Sequence, residues 1–201
     1  MKDNNSKQVL LSVLGVAILV VAVVGVSFAA FTFSQTGNVE NKITTGIISM
    51  TYTEPENGIN LTNALPMSDG VGMTLSEKNQ YFDFTVSATI SGNTTINYAV
   101  TATKELDSTI PDTGVKVYLT DMDGDADAQI LAPTKVSALQ KTTSDVSGAP
   151  DDQYKLTSDT FSASSSHAYR LRMWVADDYR VSGDTQTFKL RVNVYGTAAA
   201  Q

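Results

Sequence analysis

The chain has 201 residues, no cysteine, one histidine, and 21 acidic against 14 basic side chains, for a formal net charge of -7. Without cysteine there are no disulfide staples and no thiolate metal sites, and a single histidine excludes zinc centres built on two or three imidazoles. The acidic balance makes nucleic acid and anionic lipid surfaces poor partners.

The first element is an uncharged apolar run from Val9 to Phe31, behind the polar head MKDNNSKQ. Its length matches the roughly 20 apolar residues of a transmembrane helix better than the roughly 7–15 of a secretory signal core. Yet Ser27 and Ala29 place small side chains three and one residues before a cut between Ala29 and Ala30, the pattern signal peptidases accept. Residues 1–30 therefore read as a signal peptide or a retained signal-anchor helix. Lys2 and Lys7, opposed only by Asp3, keep the N-terminus on the cytoplasmic side and send the remainder across. The exported part carries 12 basic and 20 acidic side chains, a net charge of -8, after removing the two and one of the polar head.

About 170 residues follow the run (201 minus 31), enough for one domain with its own core. Residues 31–46 form a linker or donor strand, and 47–201 a domain of alternating apolar and polar runs. The strands read in chain order are IISMTYT (47–53), YFDFTVSATI (81–90), TTINYAVTATK (94–104), GVKVYLT (114–120), HAYRLRMWVAD (167–177) and TQTFKLRVNVYG (185–196). SGN at 91–93 suggests that the second and third form a hairpin at the centre of a sheet. In the last, Phe188, Leu190, Val192 and Val194 share one face and Lys189, Arg191 and Asn193 the other. Short strands between turn signals, with no helical crossovers, predict an all-β fold: an antiparallel β-sandwich, jelly-roll-like, preceded by one N-terminal hydrophobic helix.

The inventory for chemistry is thin. His167, in SASSSHAY, reads as a turn histidine; a serine triad would have to use it, but no orienting partner is evident. In TDMDGDADAQ, residues Asp121, Asp123, Asp125 and Asp127 alternate around Gly124, which offers oxygen ligands to calcium or else forms a solvated acidic loop; the spacing is not that of an EF-hand. Arg170, Arg172 and Trp174 fall in phase on one strand face, which would suit gripping a carboxylate or sugar, or pairing with neighbouring acids such as Asp177 and Asp178. Asn60 and Asn93 start glycosylation sequons.

The leader ending in small residues, followed at once by AFTFSQTGNVENKITTGIISMTY, resembles the N-terminal region of the TasA and camelysin family of exported matrix proteins. Ala29 and Ala30 match the cut region, Phe31 and Phe33 the aromatic pair, and Gly37, Asn38 and Gly46 the turn before the first strand, so the resemblance covers residues 1–50. It implies an extracellular fibre in which the segment freed by cleavage, led by Phe31 and Phe33, inserts as a strand into the next subunit. Some family members are labelled metallopeptidases, an activity for which one histidine offers no basis. The expectation is a non-enzymatic, exported structural protein that self-associates or packs with other structural proteins. It has no cofactor unless calcium binds. The alternative is a single-pass virion or cell-surface protein held in a membrane by residues 9–31.

Overall fold

The computed structural model describes residues 32–36, 43–45, 48–53, 59–62, 64–77, 80–91, 94–124, 127–143, 147–180 and 186–200. The apolar run, the cut region at Ala29 and Ala30, Phe31, Asn93 and Asp125 lie outside the described residues. No helix among the described residues is long and apolar enough to cross a membrane.

The described chain folds into two β-sheets with very little helix. One has six strands in the order β2 (Ile43–Thr45), β3 (Ile48–Thr53), β5 (Tyr81–Ile90), β10 (Ser165–Val175), β7 (Val115–Asp121) and β8 (Ala128–Lys135). The other runs β1 (Thr32–Thr36), β11 (Thr187–Ala200), β6 (Thr94–Lys104) and β9 (Tyr154–Phe161), with β4 (Asn60–Thr62) also on β11. The pairings with a defined register are antiparallel. All six strands expected from alternation are present. The segment expected as a linker or donor strand contributes β1 and β2, and β4, β8 and β9 complete the sheets.

The expected hairpin does not form. β5 pairs with β3 and β10, whereas β6 pairs with β11 and β9, so the chain passes from one sheet to the other between Ile90 and Thr94. Phe82, Phe84, Val86 and Ala88 are buried on β5, and Ile96, Tyr98, Val100 and Ala102 on β6. Alternation fixes which face of a strand is buried but not which strand lies beside it. A second crossing follows β9, and the two are tied together: Ser164 Oγ accepts from Ile90 N at 2.8 Å and donates to Ile90 O at 3.1 Å.

β11 is buried on both faces along part of its length where alternation promised a wet side. On β11, Phe188, Val192 and Val194 are buried as expected, but so are Asn193 and Tyr195 on the opposite face. The segment around Ala149 and Gln153 covers them. Ala149 packs with Ala99 and Tyr195, and Gln153 Nε2 donates to Tyr195 Oη at 2.9 Å. At the far edge of the six-stranded sheet β8 carries Pro133, which cannot donate to a ladder and so suits an outer strand. The β7–β8 register slips beside it, between Val117 and Leu119.

Candidate functional site

The densest polar chemistry gathers on β10, the strand between β5 and β7. Period two sends Ala168, Arg170, Arg172 and Trp174 to one side and His167, Tyr169, Leu171, Met173 and Val175 to the other. The first set includes the ladder considered either for gripping a partner or for pairing with neighbouring acids, and the structure buries two of its three members, which corrects the gripping alternative. Trp174 is fully buried and Arg172 only 3% exposed, because residues 64–77 cross over this face. Met67 N donates to Val175 O at 3.1 Å, Arg172 Nε to Leu75 O at 2.8 Å, and Lys116, opposite Trp174 on β7, reaches Asp69 at 2.7 Å. Asp69 opens the short helix α1 (Asp69–Gly72), whose Gly72 lies against the indole: a Cβ there would stand 2.3 Å from ring carbons. Nothing in the alternating run of Trp174 and its neighbours announces this cover, which comes from a mixed apolar and polar, glycine-containing stretch without strand pattern.

Arg170 makes two hydrogen bonds to Asp83 on β5, at 2.7 and 2.8 Å, and lies over the Tyr81 ring at 3.9 Å. The acids near in sequence have other partners: Asp178 pairs with Lys135 at 2.6 Å and Asp177 approaches Lys116 at 3.9 Å. Cross-strand register, rather than sequence proximity, sets these pairs.

The described aspartates around the β7–β8 turn, Asp121, Asp123 and Asp127, point to protein donors. Asp121 Oδ1 accepts from Asp123 N at 2.7 Å, and Asp123 Oδ2 accepts from Ala168 N at 3.1 Å. Asp127, at a φ of 69° that aspartate tolerates, has its N–H bonded to Asp121 O and its carboxylate on Arg172 Nη1 at 2.9 Å and Thr120 Oγ1 at 3.1 Å. Among the described residues no three His, Cys, Asp or Glu side chains are grouped to hold a metal ion. Three of the four residues considered for calcium thus act as braces for the turn and for Arg172.

The hydrogen bond from Arg172 holds the Asp127 carboxyl below its ordinary range, against the opposing effect of desolvation. A carboxylate with a lowered folded-state value contributes stability that is complete above the unfolded value of about 3.9 and is lost as pH falls through the folded one. Asp127→Asn is therefore expected to lower the denaturation midpoint at about pH 6 and to flatten its decline toward about pH 3. Urea titrations of both proteins across that range check it; parallel curves would mean that Asp127 is not coupled to folding.

The inward face of β10 holds a second group. His167 lies on the strand and is half-buried, not in a turn as expected, and its ring is 4.6 Å from that of Phe161 on β9. Its Nδ1 is 2.6 Å from Tyr98 Oη, which is 2.5 Å from Tyr169 Oη. Asp159 Oδ2 comes within 3.5 Å of the same nitrogen. Tyr98 also stacks on Phe161 at 4.8 Å, and Tyr169 on Phe84 at 5.3 Å. The signal available in the sequence was the spacing of His167 and Tyr169, two apart on one strand and so on one face. That Tyr98 and Asp159 meet them required the crossing between sheets.

A shallow cleft of about 560 Å³ lies between β8 and β9, lined by Leu131, Thr134, Leu139, Leu156 and Thr157 among others, with no acid or histidine in its wall. No protein-family model matches the chain, and no curated protein matches its sequence.

Proposed function

We propose that the chain is an exported, non-enzymatic structural protein whose two sheets form a jelly-roll-like β-sandwich and which self-associates into an extracellular fibre, matrix or surface layer. The observation that carries this reading is the place of β1. Thr32–Thr36, immediately after the apolar run, is a border strand whose one sheet neighbour among the described residues is β11. A strand bound along one edge can be supplied to the same edge by another copy, since the backbone bonds are the same in either case. Such head-to-tail contacts propagate without closing and build a filament. Phe31 and Phe33 flank Thr32 in this segment and are the residues proposed to occupy the acceptor.

One observation favours a second reading, a single-pass virion or cell-surface protein. The uncharged run from Val9 to Phe31 is long enough to remain in a membrane as an anchor. Intact mass and N-terminal sequencing of the native protein separate the two. A start at Ala30, with filaments in negative-stain micrographs that vanish when residues 31–36 are deleted, is the result expected for donor-strand assembly. A start at Met1 overturns it and leaves the anchored protein.

A further inference from the structure

We propose that Tyr98, Tyr169, His167 and Asp159 bind a hard trivalent cation, with ferric iron as the ion of choice. Three strands in two sheets deliver these side chains to one point. Tyr98 comes from β6, Asp159 is its register partner on β9, and His167 and Tyr169 share a face of β10. Tyr98 Oη is the hub, 2.6 Å from His167 Nδ1 and 2.5 Å from Tyr169 Oη, and Asp159 Oδ2 lies 3.5 Å from that nitrogen. Around an octahedral ion with bonds of about 2.0–2.1 Å, adjacent donors stand about 2.9 Å apart. The hub distances are only a few tenths of an ångström shorter, so a small outward movement of side chains admits an ion.

Charge selects which ion. With both phenols ionised, the four ligands carry three negative charges, which a trivalent ion cancels. A divalent ion would leave one charge uncompensated beside two phenols that are 1% and 4% exposed. Phenolate and carboxylate oxygens are hard donors, and imidazole also suits iron. Histidine and the acid stand at the solvent side, 28% and 56% exposed, with the tyrosines behind them. Asp121 and Asp123, at the β7–β8 turn, add negative potential at Tyr169.

Without an ion, the phenols hold their protons. Burial, then the Tyr169 hydrogen bond and nearby acids, push Tyr98 far above the ordinary phenol value, and burial pushes Tyr169 up to about 12. Binding therefore breaks two O–H bonds and releases two protons to solvent as bonds form from iron to Tyr98 Oη, Tyr169 Oη, His167 Nδ1 and Asp159 Oδ2. The iron stays ferric and no electron moves.

The purified full-length protein titrated with ferric nitrilotriacetate tests this. The expected result is a visible phenolate-to-iron charge-transfer band that saturates at one ion per chain. Tyr98→Phe and Tyr169→Phe should each weaken binding more than about tenfold. If either phenylalanine variant misfolds by circular dichroism, Asp159→Asn serves instead: it alters an exposed carboxylate, and should weaken binding by a similar factor with no change in melting temperature. No band in the wild type, or a band of unchanged affinity in a folded variant, overturns the site and leaves a hydrogen-bonded core network.

Discussion

Trp174→Ala is expected to lower the unfolding free energy by about 3–5 kcal/mol, the range for removing a large aromatic from a packed interior. The side chain is among the largest that are fully buried, and it is covered from outside its sheet by residues 64–77. Its loss opens a void under α1 and weakens the seat of the whole segment, not just the strand. The complementary change comes from the other side of the contact. At Gly72, a methyl group would collide with the indole at 2.3 Å, and a buried ring has little room to retreat. Gly72→Ala should therefore cost about 1–3 kcal/mol by overpacking. Trp174→Phe should be milder than Trp174→Ala, because it retains an aromatic ring and removes an indole N–H that is buried without a partner. Trp174 is the only tryptophan, so far-UV circular dichroism in urea, not fluorescence, is the suitable measurement. A cost below about 1 kcal/mol for Trp174→Ala would mean that the segment does not close over β10.

Arg172→Ala should cost about 2–3 kcal/mol, well above the cost of Arg170→Ala, although the two arginines sit two residues apart on the same face. The difference lies in what each change leaves behind. Arg172 is 4% exposed at its side chain and donates to Leu75 O, to Asp127 and, at 3.4 Å, to Thr120 Oγ1. Removing it unpairs a carbonyl in the covering segment, leaves the Asp127 carboxylate without its counter-charge though still bonded by Thr120 Oγ1, and vacates buried space. Asp127 is 46% exposed and regains water, which keeps the expected loss below that of a fully buried ion pair. Arg170 pairs with Asp83, whose side chain is 45% exposed, and solvent replaces most of that interaction, so Arg170→Ala should cost about 1 kcal/mol or less. Denaturant midpoints of the two variants decide between these expectations, and equal costs would show that burial under residues 64–77 adds nothing to Arg172.

These two results bear on function by elimination. The Arg170, Arg172 and Trp174 ladder, the strongest surface-binding candidate in the sequence, is used to hold residues 64–77 and to pair β10 with β5. Of the candidates for contact with other molecules, the proposal rests on the β1 border of the five-stranded sheet and on the phenol cluster between β6, β9 and β10. The first would depend on processing of the chain and the second on metal, so they can be tested separately.

By itself, the sequence determines the strands and their buried faces. Phe82, Phe84 and Val86, or Phe188, Val192 and Val194, must share a side because successive side chains alternate and water excludes the apolar set. It also determines the absence of disulfides and of histidine-rich metal chemistry, which are matters of inventory. Neighbours are another matter. That β5 and β6 belong to different sheets, that a stretch without strand pattern buries Trp174, and that His167 meets Tyr98 all depend on how faces stack and which edges pair. A period-two pattern is satisfied equally by a hairpin and by a crossing, and burial of the second face of a strand depends on segments far away in the chain. Only the tertiary structure decides those, because they arise from contacts between residues far apart in the chain, 42 positions for Gln153 and Tyr195 and 97 for Arg172 and Leu75, where local propensity carries no information.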